Sequence, residues 1–531
     1  MQKIATFFIS KKKTIFILFL LLIWYSLFLI RPIDLTTADL GRHLKNGELI
    51  LQGNFQHLFQ NYYSYTYPDF PFLNHHWASA VIFYFILKLA GFIGLHLFYI
   101  LSNFIVFTLF FILTKREAGL GLATVISFLI LPLAAERPEV RPEIFTYLFT
   151  TLFFWLFWKY QKCQLSYKWL FVLPIIQILW VNTHIYFFLG PALIAAFLLE
   201  KIIFFSLKEI KKIGLILILT ILATLINPFF IRGAIYPFKI FQNYGYAIVE
   251  NKSVIFLEKY GLQDPNLLLF EITFSLLVLS FVLLLFFNRR KGPFRSSEGA
   301  KEGKFSLPLF FLAAIFSFMA WWALRNFTLF GFFSLPILAI NLKNILTPRF
   351  SLSSLSFKII CALTTVFILI FFLSDPDRQI NFHPTLGLLP GNNAAAEFLQ
   401  KEKIAGPIFN NYDIGSYLIF YLYPQERVFI DNRPEAYPAS FFQKVYIPMQ
   451  QNEEIWQAQE QKYHFNTIIF AYHDLTPWAQ KFLAKRIENP TWVPVFADQY
   501  TIIFLKRNDQ NKNLIDKYEI PRSNFGIIPN Q

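Results

Sequence analysis

The chain has 531 residues, of which 55% are hydrophobic, 19% aromatic and only 15% charged. A soluble domain carries roughly 25% charged residues, so an ordinary soluble enzyme is excluded and a lipid environment is indicated. The net charge of +15 would suggest nucleic acid in a soluble protein, but here the basic residues fall in short clusters between apolar runs, and nucleic-acid binding is excluded on that pattern.

Residues 14–30 form the first uncharged apolar run, near the minimum that crosses a bilayer core. No small-residue cleavage site follows it, so it is read as a retained span rather than a signal peptide. Residues 31–77 are too long for a simple connector. Residues 78–90 are apolar but interrupted by Lys88 and closed by Gly91, which predicts a helix lying in the outer membrane interface. Further spans are predicted at 94–114, 120–135, 144–158, 169–181, 186–199, 214–230, 267–287, 305–324, 327–342 and 359–373, about eleven in all. Basic clusters at 11–13, 115–116, 159–168, 201–212, 289–304 and 343–358 fall between alternate spans. The positive-inside rule then puts the N-terminus in the cytoplasm and the C-terminus outside. Cys163 is predicted in a cytoplasmic loop and Cys361 inside the last span, so no disulfide is expected.

A second long outer stretch, 232–266, holds aromatic residues with Glu250, Glu258 and Asp264. The third is the tail from residue 374, where apolar runs shorten to strand length. Helices are predicted at 394–401, 414–421, 452–462 and 477–486, strands at 407–409, 427–430 and 467–470, and a hairpin at 492–496 and 501–505. This alternation predicts a small α/β domain over 375–508, followed by a polar, loose stretch over 509–531. The fold class is therefore an α-helical polytopic membrane protein (residues 1–374) with a small C-terminal extracytoplasmic α/β domain.

The first outer loop carries Asp39-Leu40-Gly41-Arg42-His43, then Tyr63-Ser64-Tyr65-Thr66, then Asn74-His75-His76-Trp77. Arg141-Pro142-Glu143 opens the fourth span, Trp180-Val181-Asn182-Thr183-His184 and Gly190 join the fifth and sixth, Asn227-Pro228 and Tyr236-Pro237 end the seventh, and Arg325-Asn326 lies at the ninth. In the tail stands Phe429-Ile430-Asp431-Asn432-Arg433. Together, and in this order, these motifs resemble bacterial membrane proteins of the GT-C superfamily, glycosyltransferases that depend on lipid-linked sugars. The resemblance covers nearly the whole chain. It implies a GT-C-like fold, a polyprenyl-phosphate-linked sugar donor, a glycan, lipid or protein acceptor, and a bacterial cytoplasmic membrane location. Relatives in plan, the protein O-mannosyltransferases and aminoarabinose transferases, often pair two acidic residues in the first loop. Here Leu40 follows Asp39, so a single carboxylate stands alone.

One carboxylate suffices for the chemistry. A phosphate-linked sugar already has a good leaving group, so a base to deprotonate the acceptor hydroxyl and cations to stabilise the departing phosphate are what remain to be supplied. Asp39 is the expected base, with Glu136, Glu139 and Glu143 as second choices. Arg137, Arg141 and Arg325 are expected to hold phosphate through their guanidinium forks, against the alternative that they merely snorkel to headgroups. His43, His75, His76, His184 and Glu143 are expected to line the substrate site. The histidines also raise a divalent metal, although adjacent His75 and His76 are poorly spaced for joint ligation and no Cys or His-x-x-x-His accompanies them. Asp431 and Arg433 are read either as substrate contacts or as an internal ion pair. No phosphate-cradling Gly-x-x-x-x-Gly-Lys loop occurs, which removes support for ATP-driven transport. A flippase of lipid-linked sugar would need polar residues near mid-span, and most spans are plainly apolar. A non-catalytic scaffold would tolerate replacement of Asp39.

Overall fold

A computed structural model describes residues 2–239, 244–262, 264–288, 305–346 and 385–526, with side chains from residue 11 onward. Long apolar stretches leave their backbone polar groups no partner in lipid except their own turn, and they fold as helices. The first is α1 (Gln2–Leu29), followed by the short amphipathic α2 (Leu40–Leu51) and the long α3 (Trp77–Ala118). Gly91, at φ 62° and ψ −165°, breaks α3 at the boundary where the interfacial helix was expected to end. Then come α4 (Leu120–Ala134), α5 (Glu143–Gln161), α6 (Val172–Thr183), α7 (Leu189–Ile203) and α8 (Leu207–Ala223). The second outer stretch holds two short helices, α9 (Ile231–Ala234) and α10 (Val254–Lys259), before α11 (Pro265–Asn288), α12 (Leu307–Trp322) and α13 (Phe327–Leu346). The expected span at 359–373, the basic run 289–304 and most of 343–358, the 374/375 boundary and Cys361 lie outside the described residues.

α13 is the hub of the bundle. It packs on α3, α4, α11 and α12, and nearly every side chain from Phe327 to Ala339 is buried. Large apolar side chains also face outward, among them Phe16, Leu101, Ile105, Leu179, Ile218 and Val282. A girdle of that size on a soluble monomer would aggregate; on this chain it is the lipid-facing surface. Among the described residues five stretches are both long and apolar enough to cross a bilayer: Lys11–Leu29, Trp77–Ala118, Ile185–Ile203, Pro265–Phe286 and Leu324–Leu346. The chain is thus a multi-pass membrane protein.

The two ends of the bundle differ in chemistry. At one, the basic loops meet: the Tyr167 hydroxyl donates to the Lys212 carbonyl (3.0 Å), and Gln161 donates to Glu200 (2.6 Å). At the other sit α2, the first and second outer loops and the tail. The tail builds one sheet from β1 (Ile408–Asn410), β2 (Thr467–Ala471), β3 (Trp492–Ala497) and β4 (Thr501–Lys506), in the order β1-β2-β4-β3. β1 runs parallel to β2, β4 antiparallel to β2, and β3 with β4 forms the expected hairpin. Strand alternation sorts the side chains into two cores. Phe409, Ile468, Phe470, Ile502 and Phe504 pack with Trp456 and Phe482 on one face, while Ile469, Ile503 and Leu505 join Leu399, Leu418 and the membrane core on the other.

Two expectations for the tail are corrected. Residues 427–430 are not a strand; Val428 forms a single parallel bridge to Ser64, because its partner is the first outer loop rather than the sheet. Within the described part of the stretch from 509, Lys512–Tyr518 is a helix rather than loose chain; its Ile515 is buried and its Tyr518 hydroxyl donates to Glu402 (2.6 Å), while residues 527–531 lie outside the described residues. Residues 439–451, to which no element is assigned from sequence, are helical throughout.

Candidate functional site

Each motif of the sequence reading arrives at the tail end of the bundle. Asp39 ends the turn before α2 and occupies its N-cap position. Its carboxylate accepts a hydrogen bond from the Asn432 amide of the tail and lies 3.9 Å from the Arg42 guanidinium. Arg42 itself is buried, and its Nε has no partner among the described residues. α2 is wedged at this position by its glycines. A Cβ on Gly41 would stand 2.5 Å from the Ser416 carbonyl oxygen, and one on Gly47 only 2.2 Å from that of Ala80.

The arginines converge. Arg137 pairs with Glu250 and lies 3.7 Å from Glu143; Arg141 lies 3.5 Å from Glu250 and 3.9 Å from Glu139; Arg325 lies 2.9 Å from Glu143 and 3.6 Å from Glu250. Arg325 also donates to Asn251 (2.9 Å). One carboxylate, Glu250, is therefore bridged by all three guanidiniums. Burial pushes its proton affinity up, but Arg137, Arg141 and Arg325 outweigh that and hold the group well below the usual carboxylate range. Asp39 belongs to the same field. Against burial and Arg137, the charges of Glu250, Glu139 and Asp39 raise the pKa of Arg141. Three guanidiniums thus face two enclosed carboxylates, Glu143 and Glu250, with Glu139 at the rim and Asp39 nearby.

The histidines form a second, contiguous group. Ring centroids are 4.0 Å apart for His75 and His76, 5.5 Å for His43 and His76, and 5.1 Å for His76 and His184. Burial pushes His76 and His184 down to about 3 and His43 and His75 well below their usual range, so all four are neutral near pH 7. Their tautomers follow from their partners. His76 Nδ1 meets the Thr183 carbonyl (3.2 Å) and His75 Nδ1 the Leu73 carbonyl (3.1 Å); a carbonyl can only accept, so both carry the proton on Nδ1 and keep a lone pair on Nε2. Thr146 Oγ1 accepts from the Trp180 indole (3.0 Å) and spends its own hydrogen on His184 Nδ1 (2.7 Å), which leaves His184 with an Nε2–H donor. The two motifs hold each other: the Trp77 indole donates to Asn182 (2.8 Å), which in turn donates to the Ile178 and Ile226 carbonyls. Among the described residues no group of three or more His, Cys, Asp or Glu is arranged to hold a metal ion, so the histidines do not fit that role and no step is routed through one.

The tail closes the site from above. Arg433 grips Asp431 through two hydrogen bonds (2.7 and 2.6 Å) and donates to Asn61 of the first loop (2.8 Å), all fully buried. The Asp431–Arg433 pair is thus internal, the second of the two readings offered by sequence. Tyr63-Ser64-Tyr65-Thr66 lies along 428–429: Tyr65 N donates to the Val428 carbonyl (3.2 Å), and the Ser64 and Thr66 hydroxyls donate to that of Phe429 (3.1 and 2.9 Å). Tyr246 of the second outer stretch stacks on Tyr412 with centroids 4.2 Å apart. Asp413, next to Tyr412, is pushed up to about 7 by burial, Asp474 and Asp39.

All nine expected site residues therefore gather at one end: Asp39 beside the arginine cluster of Arg137, Arg141, Glu143 and Arg325, and His43, His75, His76 and His184 in contact sequence beneath. Of the second-choice bases, Glu143 is engaged by arginines, Glu139 stands at the rim near Arg141, and Glu136 accepts from Asn266. The sequence reading noted Glu250 only as one acid in an aromatic loop and gave no role to Asn432, Arg42 or Asp413. Nothing local marks Glu250, which lies 113 residues from Arg137.

No protein-family profile matches the chain, and no curated protein matches it. Solved structures do. The apo oligosaccharyltransferase of Archaeoglobus fulgidus superposes with a TM-score of 0.52 at 13% identity, over 93% of this chain and 74% of that one. The same enzyme in complex with Zn and sulfate gives 0.50 at 13%, over 92% and 73%. ArnT from Cupriavidus metallidurans in the apo state gives 0.50 at 11%, over 96% and 99%. The chain has the fold these GT-C membrane glycosyltransferases share.

Proposed function

We propose that this protein is a membrane glycosyltransferase that moves a sugar from a polyprenyl-phosphate carrier to an acceptor hydroxyl at the tail end of the bundle, the extracytoplasmic face of a bacterial cytoplasmic membrane. The observation that carries the reading is the convergence of Arg137, Arg141 and Arg325, with Asp39 in the field of Arg141, from three separate segments. Fold alone fixes no chemistry; the residues at the site do.

In the step, the acceptor oxygen bonds to the anomeric carbon as the bond from that carbon to the phosphate oxygen breaks. The hydroxyl proton passes to Asp39, and the bonding electron pair leaves with the phosphate. Asn432 and Arg42 orient the carboxylate. The guanidiniums meet charge that develops on the leaving oxygen, in an enclosed site where such stabilisation is strong. The neutral histidines offer lone pairs on His75 and His76 and an N–H on His184, a set suited to sugar hydroxyls.

Asp39→Asn keeps size and the contact to Asn432 but removes the base. General acid–base contributions are about 10²–10⁴-fold, so transfer from a polyprenyl-phosphate sugar should fall by that order while carrier binding persists. Asp34, whose carboxylate is occupied by Thr36 and Asn392, should tolerate the same change. Near-normal transfer by Asp39→Asn would end the reading.

A further inference from the structure

We infer that Glu250 is an internal occupant of the donor-phosphate seat, exchanged for the phosphate of a singly phosphorylated lipid carrier when the carrier binds. The inference rests on the reading of the arginine cluster given above and adds how that cluster is kept when no carrier is present.

The geometry is that of an anion held by a receptor. The Glu250 carboxylate is shared among Arg137, Arg141 and Arg325, which come from the α4–α5 connection and the α12–α13 connection. Guanidinium forks match carboxylate and phosphate alike, so the same three groups that hold Glu250 can hold a phosphate in its place. They cannot hold both: an added anion at the same guanidiniums would face Glu250 and Glu143 together. Glu143 opens α5 and is fixed to the bundle by its helix, whereas Glu250 stands in a three-residue turn, Val249–Asn251, of the second outer stretch. Of the two carboxylates, Glu250 is the one whose support can yield. Among the described residues, that turn is otherwise held by Asn251, which accepts from Arg325 (2.9 Å), and by the Lys252 carbonyl, which accepts from Leu324 N (3.4 Å).

Charge indicates how many phosphates fit. With Glu250 withdrawn, three guanidiniums face the single enclosed carboxylate of Glu143, with Glu139 half exposed at the rim. With Glu139 counted in its pair with Arg141 (3.9 Å), the seat then carries about one positive charge, rising toward two only where water screens Glu139. A sugar linked through one phosphate brings one negative charge, and the released phosphate monoester bears close to two at neutral pH. The charge of the seat balances a single phosphate. A diphosphate carrier would bring more negative charge than the seat balances.

The test is binding of undecaprenyl phosphate to the purified full-length protein in nanodiscs. A ligand that must displace an internal competitor loses apparent affinity by the fraction of molecules in which the seat is taken. Glu250→Gln should therefore tighten binding by about tenfold, corresponding to a seat occupied in roughly nine molecules of ten. Glu258→Gln, on an exposed acid of the same stretch, should leave binding unchanged. Should the Gln variant not fold, Glu250→Asp keeps the charge on a shorter stem and should tighten binding by a smaller factor. Binding to wild type with equal or weaker binding to the folded variant would overturn the inference and leave the donor reading standing. Absence of binding to every variant would overturn both. Undecaprenyl diphosphate should bind wild type no more tightly than the monophosphate; a tenfold preference for it would overturn the single-phosphate assignment.

Discussion

Asp413 sits one residue beyond Tyr412, with Asp474 and Asp39 as its charged neighbours. Burial and those two carboxylates raise it to about 7, against an ordinary aspartate value of about 3.9. The sign of the consequence follows from linkage. A carboxyl that holds its proton more tightly folded than unfolded stabilises the fold below the unfolded value, and that contribution is lost as pH rises through the folded one. Thermal melts of the wild-type protein should therefore drop between about pH 4 and 7, and Asp413→Asn, which cannot ionise, should flatten that part of the profile. An unchanged slope in the variant would assign the dependence to other groups. The contrast with Asp431 is instructive at the same scale. Asp431 is also buried, but Arg433, Asn61 and Tyr437 satisfy the pair, and Arg433 packs 4.7 Å over the ring of Phe72. A buried ion pair with its remaining hydrogen bonds made is a latch between tail and first loop, and removing either partner would strand a charge.

At the scale of elements, α2 decides whether the site assembles. It lies between the first half of α3 and the tail helix Gly415–Leu422, and its two glycines are the points of closest approach. Gly47 is buried against backbone: an added Cβ would meet the Ala80 carbonyl oxygen at 2.2 Å and the Tyr84 Cβ at 2.7 Å. Neither neighbour is the flexible end of a side chain, so the helices must separate. Overpacking of this kind typically costs about 1–3 kcal/mol. Gly47→Ala should lower the melting temperature accordingly and, because α2 carries Asp39 and His43, reduce transfer as well. Leu51→Ala, on an exposed position of the same helix, should do neither. Equal stability of the two variants, measured by thermal melts in detergent, would show that α2 is not clamped as described.

For the whole molecule, the basic loops and the tail stand at opposite ends of the bundle, and the proposed orientation puts the tail outside. Cys163 is exposed in the basic end, and Asn452 is exposed in the tail. In a Cys361→Ser background, a membrane-impermeant maleimide applied to intact cells should label Asn452→Cys and leave Cys163 unlabelled until the membrane is opened. Labelling of both in intact cells, or of Cys163 alone, would reverse the proposed sidedness and with it the face on which the acceptor is found.

Sequence by itself determined the elements whose signal is local. Uninterrupted apolar runs locate the membrane helices but not all of their ends, since α8 stands at 207–223 where 214–230 is expected, whereas the tail helix Ala394–Lys401 and the β3–β4 hairpin fall within a residue of where they stand. The site residues were legible through the order of their motifs, although their spacing in the chain says nothing of which meet. Tertiary structure alone decided the pairings. Val428 looks like a strand residue because it is apolar and β-branched, yet its partner is Ser64, supplied by a loop more than three hundred residues earlier. Lys512–Tyr518 looks loose because its sequence is largely polar, and it is the packing of Ile515 against β3 together with the contacts of Tyr518 to Phe398 and Glu402 that hold it as a helix. Glu250 has no neighbour in sequence that marks it, and its role appears only when three arginines from distant connections close around it. Periodicity is written in consecutive residues; a contact between segments is chosen by burial and charge among all the surfaces the folded chain brings together, and that choice is made in space.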